Sequence, residues 1–140
     1  MPLSIWLADD DEDDRLLFTD ALKEISDSSH ALTVTDCVEL VEKINQENLP
    51  DVLFLDLNMP RKSGFVCLEE LKNNPKLEKI PVVIYSTSSN KDDILRAYSL
   101  GAHFYITKPN SFRVLKEVLV HILNIDWQFE RPSLYDFRIH

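Results

Sequence analysis

Glycine is almost missing from this 140-residue chain, which has only Gly64 and Gly101. A GxGxxG dinucleotide fingerprint needs three glycines, and a Walker A loop needs two that lie five apart, so both glycine-built phosphate cradles are excluded. Cysteine is as scarce. Cys37 and Cys67 form no metal or redox motif and read as reduced thiols, small apolar fillers in a cytoplasmic protein. A basic excess is lacking too, since 24 acidic against 15 basic side chains leave a formal net charge of −9. That balance argues against non-specific nucleic-acid binding and against anionic membranes, which both need basic patches. No apolar run approaches the ~20 residues of a membrane span, and Met1 to Leu7 lacks a basic region followed by an apolar core. What is present suits one soluble domain: 44 % of the residues are hydrophobic and 28 % charged, enough to build a sizeable core.

Turn signals and hydrophobic period divide the chain into five similar units, each an apolar run followed by a segment of helical period. Leu3 to Ala8 is the first run, and the chain then turns acidic at Asp9. From Asp13 to Ile25 the apolar positions Phe18, Ala21, Leu22 and Ile25 repeat at helical spacing. Ala31 to Thr35 is β-rich, and Val38, Leu40, Val41 and Ile44 form a short helix ended near Pro50. Val52 to Leu55 is continuously apolar, as a strand covered on both faces should be. It ends at Asp56, and a loop through Pro60 and Gly64 leads to a helix with Phe65, Leu68 and Leu71. Pro81 to Tyr85 is another buried run, ending at Ser86; Asn90 can cap the next helix, with Asp93 as capping-box partner and Gly101 as its stop. His103 to Thr107 ends at Lys108, after which Ser111 can cap a last helix reaching about Leu123. Strands alternating with helices predict a doubly wound α/β fold, a parallel sheet with helices on both faces.

In such sheets ligands bind outside the carboxyl ends of the strands. Those ends carry Asp9 and Asp10, Asp56, Ser86 and Lys108, so one edge gathers three carboxylates, a hydroxyl and an ammonium. At about 5 Å and an effective dielectric near 20, each carboxylate pair costs roughly 3 kcal/mol. The edge must therefore bind a cation or keep one carboxyl protonated. Hard oxygen ligands with room for water and a phosphate suit Mg²⁺. A carboxylate can also attack phosphorus and form an aspartyl phosphate.

Asp9-Asp10, Asp56-Leu57-Asn58-Met59-Pro60, Gly64, Ser86 and Tyr105-Ile106-Thr107-Lys108-Pro109 together resemble the signature set of response-regulator receiver domains, over residues 3 to about 123. The resemblance implies a five-stranded flavodoxin-like receiver fold of strand order 2-1-3-4-5. It implies that Asp56 accepts a phosphoryl group from a phosphohistidine on a sensor histidine kinase or a histidine phosphotransfer protein. Asp10 would be a direct Mg²⁺ ligand and Asp9 would act mainly through water, with Asp56 and the backbone carbonyl of Asn58 completing the set. Lys108 would pair with the phosphoryl oxygens, across a cis bond to Pro109. Ser86 would swing toward the phosphate and Tyr105 would turn inward, repacking the surface of the fourth helix, fifth strand and fifth helix. Ser86 stands where threonine is commoner and Thr87 where alanine or glycine often sits; Asn58 and Ser88 occupy the two positions that tune phosphate lifetime. The segments Asn74 to Pro81 and Tyr105 to Pro109 are similar to stand-alone regulators of bacterial phytochrome kinases.

Other readings of the same residues are weaker. Glu12, Asp13 and Asp14 read as a solvated helix start. A calcium loop from Asp9 fails at Asp14, where glycine is obligatory, and at Asp20, where glutamate is needed. The alternative function is a Mg²⁺-dependent phosphohydrolase working through an aspartyl phosphate, yet Asn58 stands where such enzymes need a general acid. The expectation is a signalling protein, not an enzyme, whose receiver (residues 1–123) acts by contact with a downstream protein. Leu16 lies opposite the buried face of the first helix, where a kinase must approach. The tail, residues 124–140, carries Trp127, Phe129, Tyr135 and Phe137. Tyr135, Phe137 and Ile139 alternate with polar residues as in a strand with one buried face, to be packed on its own domain or on a second copy as a homodimer.

Overall fold

Runs of apolar residues that cannot be half-solvated end up as strands covered on both sides, and the amphipathic segments between them supply the cover. A computed structural model describes residues 3–46, 49–127 and 131–140. Its elements are β1 (Ser4–Ala8), α1 (Glu12–Ile25), β2 (His30–Val34), α2 (Cys37–Gln46), β3 (Val52–Leu55), α3 (Gly64–Lys72), β4 (Val82–Ser86), α4 (Lys91–Ser99), β5 (Phe104–Thr107), α5 (Phe112–Leu123) and α6 (Leu134–Phe137). Strands β1 to β5 form one parallel sheet in the order β2-β1-β3-β4-β5. This is the expected doubly wound architecture.

The sheet divides the core in two because successive side chains of a strand point to opposite faces. Ile5, Leu7, Val52, Phe54, Val83, Tyr85 and Ile106 pack with Phe18 and Leu22 of α1 and with Leu115 and Leu119 of α5. Trp6, Ala8, Leu53, Leu55, Val82, Ile84 and Tyr105 pack with Leu40 of α2, Leu68 of α3 and Ala97 of α4. Helix starts follow the side-chain oxygens: Asp11, Ser63 and Ser111 accept from the backbone N–H groups of Asp14, Val66 and Val114. Asn90 caps α4 through the Asp92 N–H, but the capping box is not formed. Asp93 instead accepts the Ser88 hydroxyl at 2.6 Å. After α4, Gly101 stands at φ 101°, the left-handed turn that lets the chain leave the helix.

Three further expectations are corrected. Cys37 and Cys67 are not separate thiols but a disulfide, the first residue of α2 meeting the inner face of α3 across a separation of 30 residues. The compartment argument that rested on reduced thiols falls with it. The Lys108–Pro109 bond is trans, the ordinary form even before proline, since the described residues include no cis peptide. The tail is not an alternating strand either: Leu134–Phe137 is a helical turn, so Phe137 is buried while Tyr135 is 94 % exposed.

The tail packs on its own domain. Phe137 meets Tyr98 and Tyr105 at ring separations of 5.1 and 6.3 Å. The last residues then run beside β5, with the Ile139 N–H donating to Tyr105 O at 3.0 Å and the Thr107 N–H to His140 O at 2.9 Å. Trp127 lies edge-on to Phe104, and Arg131 stacks on Tyr98 at 4.2 Å; Phe129 lies outside the described residues. Truncating Phe137 to alanine is expected to cost about 3–5 kcal/mol, the range for a buried phenylalanine. Tyr135→Ala should change stability by less than about 0.5 kcal/mol. Denaturant titrations of the two variants check the contrast.

Candidate functional site

Backbone hydrogen bonds just beyond the strands carry three polar side chains to one edge of the sheet, where β4 ends in Ser86. The Asp9 N–H donates to Val34 O, the Asp56 N–H to Ala8 O at 2.9 Å, and the Lys108 N–H to Ser86 O at 2.7 Å. Asp9, Asp56 and Ser86 are buried, whereas Asp10 is exposed. One oxygen from each of Asp9, Asp10 and Asp56 lies within 4.8 Å of the others. Gly64 is fixed by this site: a Cβ there would come within 2.6 Å of Leu57 Cα and run into the Asp56 carbonyl. Only a glycine lets α3 begin against the backbone that carries Asp56.

Lys108 holds the acids together. Its Nζ is 2.8 Å from Asp9 Oδ2, 2.7 Å from Asp14 Oδ2 and 3.5 Å from Asp56 Oδ2, and it lies above the Tyr85 ring at 5.5 Å. Asp14 is thus not a solvated helix-start acid, which corrects the reading of that stretch. The loop after Asp56 is held by the Asn58 N–H, which donates to Asp56 Oδ1 at 3.3 Å, and by an ion pair between Arg61 and Asp36. Arg61 has φ 67°, and no feature of the sequence announces that pair.

The charges respond to burial and to each other. Burial pushes Asp56 up to about 6, with the Asp9 and Asp10 charges adding, against the pull of Lys108 and the Asn58 N–H. Burial also raises Asp9, against its contacts with Lys108 and the Asp11 N–H. Lys108 is pulled down by burial, but its bonds to Asp14 and Asp9 and the charge of Asp56 hold it above the ordinary lysine value. At the end of β4, Ser86 Oγ accepts the Ser88 N–H at 3.2 Å. Tyr105 is turned inward, with its hydroxyl donating to Ser88 O at 2.8 Å.

The family model of the response regulator receiver domain matches residues 5–120. The chain belongs to this family. It is a receiver domain of two-component signalling systems, similar to phytochrome response regulators. The response regulator Rcp1 of Synechocystis sp. is 32 % identical over 120 residues, 81 % of this chain and 82 % of that protein. The crystal structure of the phosphorylated cyanobacterial phytochrome response regulator RcpA superposes with a TM-score of 0.79 at 34 % identity, covering 95 % of this chain and all of that one (100 %). The manganese-bound form of Rcp1 superposes at 0.77 with 29 % identity, over 94 % of this chain and 100 % of that one. Among the described residues no helix is long and apolar enough to cross a membrane.

The raised Asp56 fixes a pH dependence. Its folded pKa of about 6 exceeds the ~3.9 of an unfolded aspartate. The native chain therefore binds the extra proton between those values, and this residue's contribution to stability falls as pH rises from about 4 to about 6. Asp56→Asn should stabilise the chain by roughly 2 kcal/mol at pH 8 in the presence of a chelator, and by nothing comparable at pH 4. Melting curves at the two pH values measure the difference.

Proposed function

We propose that this receiver is a phosphoacceptor whose site residue is Asp56. The observation that carries the reading is the meeting of a buried carboxylate, two further acids and one ammonium at the strand ends. An attacking carboxylate must be ionised, and at about 6 Asp56 is mostly so near neutral pH. In the transfer an Asp56 oxygen bonds to phosphorus while the P–N bond of a kinase phosphohistidine breaks, and the histidine nitrogen leaves with its electron pair. Lys108, already 3.5 Å from Asp56, supplies donors to the arriving phosphoryl oxygens. Ser86 supplies a hydroxyl beside them. That hydroxyl accepts the Ser88 N–H, and the Ser88 carbonyl holds the Tyr105 hydroxyl, a chain that supports Ser86 and Tyr105 as the switch residues. They act on the surface of α4, β5 and α5.

Four acids against one lysine leave the pocket short of positive charge, and the hard oxygens of Asp9, Asp10 and Asp56 within 4.8 Å of one another fit a divalent cation such as Mg²⁺. Asp9, Asp10, Asp56 and the Asn58 carbonyl would hold it, and it would offset the charge that arrives with the phosphoryl group. The manganese-bound form of the similar Rcp1 supports that assignment. The partners are a sensor histidine kinase or histidine phosphotransfer protein, with the kinase's ATP chemistry placing the exchange in the cytoplasm, and a downstream protein. No turnover beyond self-phosphorylation and slow self-dephosphorylation is assigned to the chain.

Acetyl phosphate with Mg²⁺ should label Asp56, and beryllofluoride should occupy it. Asp56→Asn abolishes both, and chelation abolishes labelling; label that persists in either case overturns the acceptor assignment. Lys108→Ala should keep the metal ligands yet lose the switch, read as retained Mg²⁺ binding with no shift of Tyr105 resonances on adding beryllofluoride.

A second prediction concerns the kinase. Leu16 is 56 % exposed and Leu17 47 % exposed on α1, within two turns of the acids. Leu16→Asp should slow phosphotransfer from a phosphorylated kinase by about tenfold, the 1.4 kcal/mol of one lost apolar contact. Acetyl phosphate labelling should be unaffected. Parallel loss of both activities would signal misfolding and count against the contact.

A further inference from the structure

Asp14 takes no part in the reading above, yet it makes the shortest contact to Lys108. Its Oδ2 lies 2.7 Å from Nζ, against 2.8 Å for Asp9 and 3.5 Å for Asp56. The three carboxylates close enough to share a cation are Asp9, Asp10 and Asp56. Asp14 is outside that group, so removing it leaves the metal ligands in place. A lysine ammonium is a compact charge with three donors on a flexible stem, and a single ion pair leaves it free to rotate. The Asp14 carboxylate accepts a hydrogen bond from Lys108 at 2.7 Å, which fixes one donor, while Asp9 attracts the ammonium at 2.8 Å by charge, its Oδ2 accepting no aligned hydrogen bond. Within 4 Å the remaining carboxylate, among the described residues, is Asp56.

We propose that Asp14 is a positioning residue: its hydrogen bond, together with the charge of Asp9, holds the Lys108 ammonium where it faces the phosphoryl group on Asp56. The proposal rests on Asp56 being the phosphoacceptor. Two rigid elements supply the two anchors. Asp9 closes β1, and Asp14 sits in the first turn of α1, whose start is fixed by the Asp11 side chain accepting the Asp14 N–H itself at 3.0 Å. Arg15 ties the same turn to the end of the strand by donating to the Asp9 carbonyl at 2.8 Å. The separation of the two anchors is therefore set by backbone contacts rather than by the lysine. Binding energy that would otherwise go into ordering the lysine stem is already spent in the folded chain, which raises the rate of transfer without adding a contact to substrate. The plain alternative is an acid that favours the helix start through the dipole and meets Lys108 with no consequence for transfer.

The experiment uses the full chain with Mg²⁺, acetyl phosphate as phosphodonor, and the variants Asp14→Ala, Asp14→Asn, Asp14→Glu, Lys108→Ala and Asp14→Ala/Lys108→Ala. In the donor reaction the P–O bond to acetate breaks as the Asp56 oxygen bonds to phosphorus, and acetate leaves. Asp14→Ala should lower the saturating labelling rate about tenfold, within the range for contacting pairs in double-mutant cycles. Mg²⁺ binding, measured by calorimetry with the metal alone, should be retained, since Asp9, Asp10 and Asp56 remain. Asp14→Glu should recover most of the rate and Asp14→Asn should not. In the Lys108→Ala background Asp14→Ala should add nothing. A second readout needs no metal: in chelator, the melting temperatures of the two single variants and the double variant should be non-additive.

Labelling of both Asp14→Ala and Asp14→Asn at the rate of the unmutated chain overturns the proposal, as does an equal loss with and without Lys108. Should Asp14→Ala fail to fold, Asp14→Asn carries the test, since it keeps the volume and removes the charge. Label that survives in Asp56→Asn would instead defeat the phosphoacceptor reading, and the proposal with it, a result distinct from any change at Asp14.

Discussion

A lysine ammonium buried among carboxylates at the ends of parallel strands is the constraint on which the rest of the structure turns. Each ion taken out of water costs several kcal/mol, and attraction in the interior repays it only when the geometry is close and further bonds satisfy the group. Lys108 meets that condition with two contacts under 3 Å. The partners come from β1 and α1 and the lysine from the end of β5, so the pair closes only when the sheet is in register. Continuous apolar strands, two helical layers and a glycine at the start of α3 all serve to bring those chain ends together. The local balance still favours the negative sign, with Asp9, Asp10, Asp14 and Asp56 around one ammonium. Burial, with the Asp9 and Asp10 charges adding, holds Asp56 at about 6 rather than in the usual carboxylate range, and the excess of carboxylates suits the pocket to an added cation.

Much of this was legible because the strands are buried on both faces. Val52 to Leu55 and Val82 to Ser86 could not be mistaken for amphipathic helices, and the polar residues that stop them fall on one edge by topology alone. Asn90 and Ser111 mark helix starts through the side-chain oxygens that cap them. Most of what escaped the sequence depends on two segments distant along the chain. The Cys37–Cys67 bridge spans 30 residues with no motif at either end. Asp36 and Arg61 meet because α2 and the loop after β3 share one face of the sheet. The alternation of Tyr135, Phe137 and Ile139 was read with the wrong period: a helical turn buries Phe137 on the α4 face of the sheet, and the extended segment after it lays the half-buried Ile139 on the opposite, α5 face.

The tail changes what a receiver surface of this kind can present. Ser86 accepts the Ser88 N–H, the Ser88 carbonyl accepts the Tyr105 hydroxyl, and the Tyr105 ring lies against Phe137. Phe137 in turn meets Tyr98 of α4, and Arg131 donates to the Tyr98 carbonyl at 2.6 Å. These contacts run without a gap from the edge that carries Asp56 to the last residues of the chain. A displacement of the β4–α4 loop therefore cannot be absorbed locally: either the Tyr105 hydroxyl loses its acceptor or the ring moves and carries Phe137 with it. Burial of Phe137 makes the second course expensive, because a vacated aromatic site in a close-packed core costs several kcal/mol. The edge of β5 is also closed, since Thr107 and Tyr105 already exchange backbone hydrogen bonds with residues 139 and 140. A partner that reads α4, β5 and α5 meets the chain's own C-terminal segment there, not a bare sheet edge.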